Sequence, residues 1–221
     1  MMKFFTTRTF LFLFCTLLLH SVSQAAAINY GDDVVATLDV EGEVDVYTFT
    51  GNAGDRIYVR MRDAESQIDA CVALYGPNGA QVAEQCLNGG IVKLKGIVLP
   101  QSGTYEIHAS DNNNNDVGSY GLSLEILNST AYATKIKCGE DIVGQIATTA
   151  QVITYSFEAT AGELAILQMR SPNKSLESEL EVYSPTGELL VSKFSSHLAK
   201  ANNLSFPETG TYLVLLSDYN G

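Results

Sequence analysis

The sequence predicts an all-β protein, built as two tandem antiparallel β-sandwich domains of jelly-roll-like type behind an N-terminal signal peptide. Three observations predict it. Apolar and polar residues alternate with period two in run after run, the pattern of half-buried strands. Turns carrying glycine, proline or asparagine interrupt the alternation at a spacing of roughly ten residues. The second half also repeats the first: moved by 108 positions, Gly31 falls on Gly139, Asp33 on Asp141, Tyr47 on Tyr155, Phe49 on Phe157 and Ala53-Gly54 on Ala161-Gly162. A repeat of that length is a duplicated domain, since solenoid units run only roughly 20 to 50 residues.

Residues 1–27 read as the signal peptide. Lys3 and Arg8 make a basic start, "FLFLFCTLLL" an apolar run and "SVSQAAA" a small-residue cleavage region, with cuts expected after Ala25 or Ala27. The apolar run is about half the length that a membrane-spanning helix requires, so no span is expected after cleavage. Phe14 stands where a small residue would precede a lipid-bearing Cys15, which argues against lipidation. Losing Lys3 and Arg8 leaves 11 basic against 25 acidic residues, a formal charge of −14 in place of −12. Such a surface repels phosphate backbones and anionic lipid, so nucleic acid is excluded as a partner. The localisation implied is secreted, at the cell surface or in the periplasm.

The first domain spans 28–127. In "VYTFT" Tyr47 and Phe49 share a face; in "IYVRM" Ile57, Val59 and Met61 point inward with Tyr58 and Arg60 outward. "TYEIHA" aligns Tyr105, Ile107 and Ala109, and "YGLSLEI" aligns Tyr120, Leu122, Leu124 and Ile126. "GPNG" at 76–79 combines a proline with Asn-Gly and closes a hairpin. Counting back from Asn78-Gly79 along both arms sets Cys71 opposite Cys86, and in an exported protein such a pair reads as a disulfide. A bulged turn would shift that pairing by one residue.

"NSTAYAT", 128–134, is the expected linker, and the second domain runs from 135 to 221. "ELAILQM" and "TYLVLL" keep the phases of their counterparts, and Tyr75, Pro77 and Gly79 return as Tyr183, Pro185 and Gly187. At an offset of 107, Gly103-Thr104-Tyr105 and Ser110-Asp111 return as Gly210-Thr211-Tyr212 and Ser217-Asp218. Nothing matches the "GSYGLSLEI" strand, so the second sandwich is expected to lack its last strand. The chain then reads as a fragment, or as a module that another strand completes, with an open groove in place of that strand. Glu179 and Phe194 replace the cysteine pair, and Cys138, matching Tyr30, reads as a small buried residue or as half of a bridge to sequence beyond Gly221.

The strings "DVYTFTGNAGDRIYVRM", "LYGPNG", "LPQSGTYEIHASD" and "GSYGLSLEI" resemble the bacterial pre-peptidase C-terminal domain, a secreted β-sandwich module related in fold to the collagen-binding domains of bacterial collagenases. The resemblance covers residues 29–127 and, more weakly, 135 onward. It implies a non-catalytic accessory module that recognises protein or polysaccharide outside the cell; the alternative it implies is a structural spacer or secretion-assisting segment of a larger exported enzyme such as a peptidase.

The residue inventory agrees with a non-enzyme. Beyond the leader only His108 and His197 are present, and no nucleophile-elbow or zinc-protease motif accompanies them. No catalytic or cofactor-binding residue is assigned and no metal ligand set is fixed. Calcium is the one candidate ion, through Asp32, Asp33, Asp39, Glu41, Glu43 and Asp45, or through Asp111 and Asp116 of "DNNNND", all hard oxygen donors. The chain has no tryptophan to stack on a sugar, and Tyr58 is the tyrosine that the strand phase turns outward.

Overall fold

The computed structural model describes residues 25–172 and 176–219, so all but the end of the expected leader lies outside the described residues. Sixteen strands and no helix make up this part. The first nine are β1 (Ala26–Ala27), β2 (Asp32–Leu38), β3 (Val44–Gly51), β4 (Arg56–Asp63), β5 (Ala70–Tyr75), β6 (Gln81–Cys86), β7 (Ile91–Val98), β8 (Gly103–Asp111) and β9 (Gly118–Ile126). The other seven are β10 (Thr134–Lys135), β11 (Val152–Ala159), β12 (Leu164–Arg170), β13 (Ser178–Tyr183), β14 (Leu189–Ser195), β15 (Leu198–Ser205) and β16 (Gly210–Asp218).

In the first module a sheet ordered β1-β3-β8-β5-β6 faces a second ordered β2-β9-β4-β7. In the second, β10-β11-β16-β13-β14 repeats the first order strand for strand, but the facing sheet is reduced to β12-β15. One expectation needs correcting: the pairing is not wholly antiparallel, because β1–β3 and β10–β11 are parallel. The reason is the route of the chain. After β1 it crosses to the other sheet as β2 and returns as β3 in β1's direction, and a crossover of this kind is what a parallel neighbour requires.

The inward phase fills the first core. Ile57, Val59 and Met61 from β4 meet Tyr105, Ile107, Leu122 and Leu124, all fully buried. Side chains of that size contribute roughly 1.5–3 kcal/mol each when taken from water. Tyr120 donates to Asp45 at 2.5 Å and its hydroxyl lies 2.8 Å from that of Tyr47, so the polar tips inside this core are paired. The repeated "GTY" phrase has a repeated task. Tyr105 donates to the Gln101 carbonyl and Tyr212 to the Glu208 carbonyl, each at 2.6 Å, tying a tyrosine to the turn before its own strand. The glycine preceding it lies against a turn proline: a Cβ on Gly103 would come within 2.6 Å of Pro77, and one on Gly210 within 2.5 Å of Pro185.

The two modules lean on each other through the outer face of β2-β9-β4-β7. Tyr58, which the strand phase turns outward, is 1% exposed and packs with Leu127, Val152, Tyr183, Leu213 and Leu215. The expectation of a solvent-facing Tyr58 is therefore corrected: outward from its own core means inward to the neighbour. Arg60, equally buried, donates to the carbonyls of Gln151 and Asp218. Lys93 pairs with Glu179 at 2.6 Å, Lys95 with Glu181 and Arg56 with Glu188. Thr154 donates to Glu125 at 3.0 Å, and the Val152 amide donates to Asp33 at 3.2 Å. Gly121 allows the closest approach, since a Cβ there would sit 2.0 Å from the Thr149 carbonyl oxygen. These residues fix how the second module is presented.

Candidate functional site: an open groove along β12

In the first module β4 is held on both edges, by β7 and by β9, and β9 is in turn flanked by β2. The second module has β12 and β15 in the places of β4 and β7. Among the described residues no strand takes the place of β9. Residues 140–146, which match β2, form no strand either, and no described strand lies beside them to pair with. Val143 in this stretch is 99% exposed.

Between this segment and β12 lies a groove of about 1190 Å³. Its floor is the inward phase of both sheets: Tyr155 and Phe157 of β11, Leu180 of β13, Val214 and Leu216 of β16, and Ala165, Leu167 and Met169 of β12. Ala165, Leu167 and Met169 are only partly buried, whereas Ile57, Val59 and Met61 at the matching positions are 0% exposed. On the outer side of β12, Leu164 and Ile166 are 68% and 61% exposed. Lys135, Lys137, Arg170 and Lys200 line the groove together with Glu140, Asp141 and Glu158. Lys135 bonds Glu158 at 2.5 Å, and this hydrogen bond and its charge hold the Glu158 carboxyl below its usual range.

The other residues singled out in the sequence lie elsewhere. Cys71 and Cys86 face each other across β5–β6 and are disulfide-bonded; the hairpin does carry a bulge, at Leu74/Tyr75, on the turn side of the bridge. Glu179 and Phe194 pair across the matching position of β13–β14, where Glu179 reaches Lys93 and Phe194 stacks on Tyr219. Cys138 is exposed at the groove margin, which corrects its reading as a buried residue; with residues 140–146 not forming a strand, nothing covers it.

The carboxylates offered for calcium are spread over separate strands and turns. Asp111 accepts from the amides of Asp69, Asn113 and Asn115, closing the "DNNNND" loop on itself. Glu43 accepts from the Asp39 and Val40 amides, Asp32 from Asn29, and Asp33 serves the module interface. The one group of three or more candidate ligands among the described residues is Cys71, Glu84 and Cys86, and its two cysteines are in the bridge. His108 bonds Glu106 at 3.0 Å and lies against Tyr75, while His197 bonds the Ser171 carbonyl through Nδ1. A feature that the sequence reading missed is the stacked pair Phe194–Tyr219, with centroids 4.4 Å apart, Phe194 61% exposed and Lys93 over the tyrosine ring. A residue of β14 and one just past the end of β16, 25 positions apart, leave no local signal.

No family model matches the chain, and no curated protein does. Among solved structures it is similar to the pre-peptidase C-terminal domain of a collagenase from Bacillus anthracis, at 21% identity over 48% of this chain and 99% of that one, with a TM-score of 0.37. It is also similar to PliG, a periplasmic inhibitor of g-type lysozyme from Aeromonas hydrophila, at 14% identity, 46% and 98% coverage and a TM-score of 0.34. The PBSX exported protein XepA is matched over 85% of this chain and 87% of its own length at 10% identity, with a TM-score of 0.31. At scores this low none of the three bears on what the chain binds.

Proposed function

We propose that the chain is an exported, non-catalytic binding protein whose second module takes an extracellular protein or polysaccharide in the groove along β12. The observation that carries the reading is the contrast between copies. The inward phase of β4 is sealed, while the same phase of β12 lies partly open beside Leu164 and Ile166. An open apolar surface of this kind is a docking place, for a further segment of the same polypeptide or for a partner. Export is supported by the leader-like residues 1–27, the Cys71–Cys86 bridge and the acidic surface.

The test is retention of the purified chain on collagen, insoluble polysaccharides and whole cells, with and without calcium, beside a Leu167→Asp variant. Retention that Leu167→Asp abolishes supports the groove. Equal retention of both proteins moves the site elsewhere, with Phe194 and Tyr219 the next candidates for a sugar face. No retention on any surface removes the binding reading. It would favour the spacer alternative, for which the observation in favour is the charged, closely packed contact between the modules.

A further inference from the structure

We infer that the contact between the modules is a proton-operated latch: it closes on Glu125 in its uncharged form, and the two modules part when that carboxyl ionises. The ground is the pairing across the interface. Lys93 meets Glu179 there, Lys95 meets Glu181, and Arg60 gives its hydrogen bonds to the Gln151 and Asp218 carbonyls. Glu125, on the same outer face and 2% exposed, has Thr154 of β11 as its hydrogen-bond partner and pairs with no cation among the described residues. The charges that bear on it from β2 are those of Asp33 and Asp32, both acidic. Tyr58 stands beside it on β4, and Glu179 and Glu181 of β13 act on the same ring. Leu213 and Leu215 of β16 bring no charge.

A carboxylate buried without a cation is unfavourable, whereas a neutral carboxyl needs only hydrogen bonds. Burial pushes the Glu125 carboxyl up to about 8, against 4.5 in water. Between those values the closed form holds a proton that the parted form releases, so rising pH favours parting. The parting equilibrium grows about tenfold per pH unit in this window, roughly 3,000-fold in all, and no further above it. Neither module gives up its core when they part. Val59, Ile107 and Leu122 belong to the first, and Leu180, Val182 and Val214 to the second. What parting exposes is the mixed surface of Tyr58, Leu127, Tyr183, Leu213 and Leu215 with its ion pairs, and relative motion is the default for domain contacts that are not large and apolar. Residues 128–134, exposed or half-exposed throughout, supply the hinge.

The test is amide hydrogen exchange by NMR on the whole chain from pH 6 to 8, each rate divided by the intrinsic rate at its pH. The reporter is the Val152 amide, whose hydrogen bond crosses the interface to Asp33, and the references are Ile107 and Val214 inside the two cores. Val152 is expected to lose protection about fiftyfold over that range. It should also stay at least about tenfold less protected than both references throughout, because parting precedes unfolding. In Glu125→Gln the loss is expected to disappear. Constant protection of Val152 in the parent overturns the inference. Protection equal to that of Ile107 and Val214 overturns it too, since unfolding would then be the route to exposure. So does an equal loss in Glu125→Gln, which would put the titration on another group. Should that variant misfold, the comparison of Val152 with Ile107 and Val214 in the parent still decides the matter.

Discussion

Glu125 gives the sharpest handle on the module interface. It is 2% exposed on the outer face of β9, and burial, followed by the charges of Asp33 and Asp32, pushes its carboxyl up to about 8. Thr154 donates to it from the second module and lowers the value only in part. In the unfolded chain the same group titrates near 4.5. Between those values the folded protein holds a proton that the unfolded chain has released, so stability falls as pH rises through this window. The slope is about 1.4 kcal/mol per pH unit, and the whole span is worth on the order of 4–5 kcal/mol. The contribution is fully present below about pH 4.5 and gone above about pH 8. Asp33, also raised by burial, adds to the same trend from the acid side. Glu125→Gln keeps the shape and the acceptor for Thr154 but cannot ionise. In urea unfolding followed by far-ultraviolet dichroism from pH 4.5 to 9, the variant should gain on the parent steadily up to about pH 8 and then hold its lead. Titrations shared by the two proteins cancel in that difference. Parallel stability profiles would refute the reasoning, because they would mean that Glu125 is solvated in the folded chain.

Four further outcomes follow from the same packing. Gly121→Ala forces a methyl onto the Thr149 carbonyl and should cost about 1–3 kcal/mol, or part the modules, which small-angle scattering reads as a larger radius of gyration. Lys93→Met strands Glu179 in the interface at about 3–5 kcal/mol, and the Lys93→Met/Glu179→Met pair should recover most of that; a double mutant as weak as the single would show that the ion pair is not the issue. Replacing Cys71 and Cys86 together by serine opens a loop of 15 residues and should lower stability by about 3 kcal/mol on the chain-entropy account, in chemical denaturation without reductant. On the proposed export, N-terminal sequencing of the cleaved chain should begin at Ala26, since cutting after Ala27 removes β1 and its pairing with Tyr47 and Thr48, and a start at Ile28 would count against a structural use for that strand.

Much of the fold was legible because its signals are local. Period two in "IYVRM" and "TYEIHA" follows from side chains alternating across a strand, and "GPNG" locates a hairpin closely enough to set Cys71 against Cys86. The open edge of β12 could be anticipated for a different reason, since the first copy displays the strand that no described residue of the second supplies. What the sequence reading did not reach is the fate of 140–146. Their match to β2, Val34 with Ile142 and Leu38 with Ile146, carries a strand-like apolar phase, yet β2 hydrogen-bonds to β9 alone within its sheet. Strand propensity is exercised through a neighbour, and without one the segment has nothing to form against.

The module interface was illegible on different grounds. In "SELEVY" the phase of Leu180 and Val182 faces the second core, while Glu179, Glu181 and Tyr183 take the opposite phase, which for an isolated sandwich means solvent. All six residues of β13 are buried. The carboxylates tolerate this because Lys93 and Lys95 come from the other module to meet them, and no single-strand pattern encodes a partner 86 residues away. Strand β16 divides in the same way, Leu213 and Leu215 toward the first module and Val214 and Leu216 toward the second core and its groove. One sheet thus separates the two surfaces. Buried ion pairs add little net stability, but they penalise any other seating of the modules, since a shift of one residue along β7 would leave both glutamates unpaired. The groove therefore lies on the side of the sheet away from the first module, and whatever fills it displaces no contact between the two.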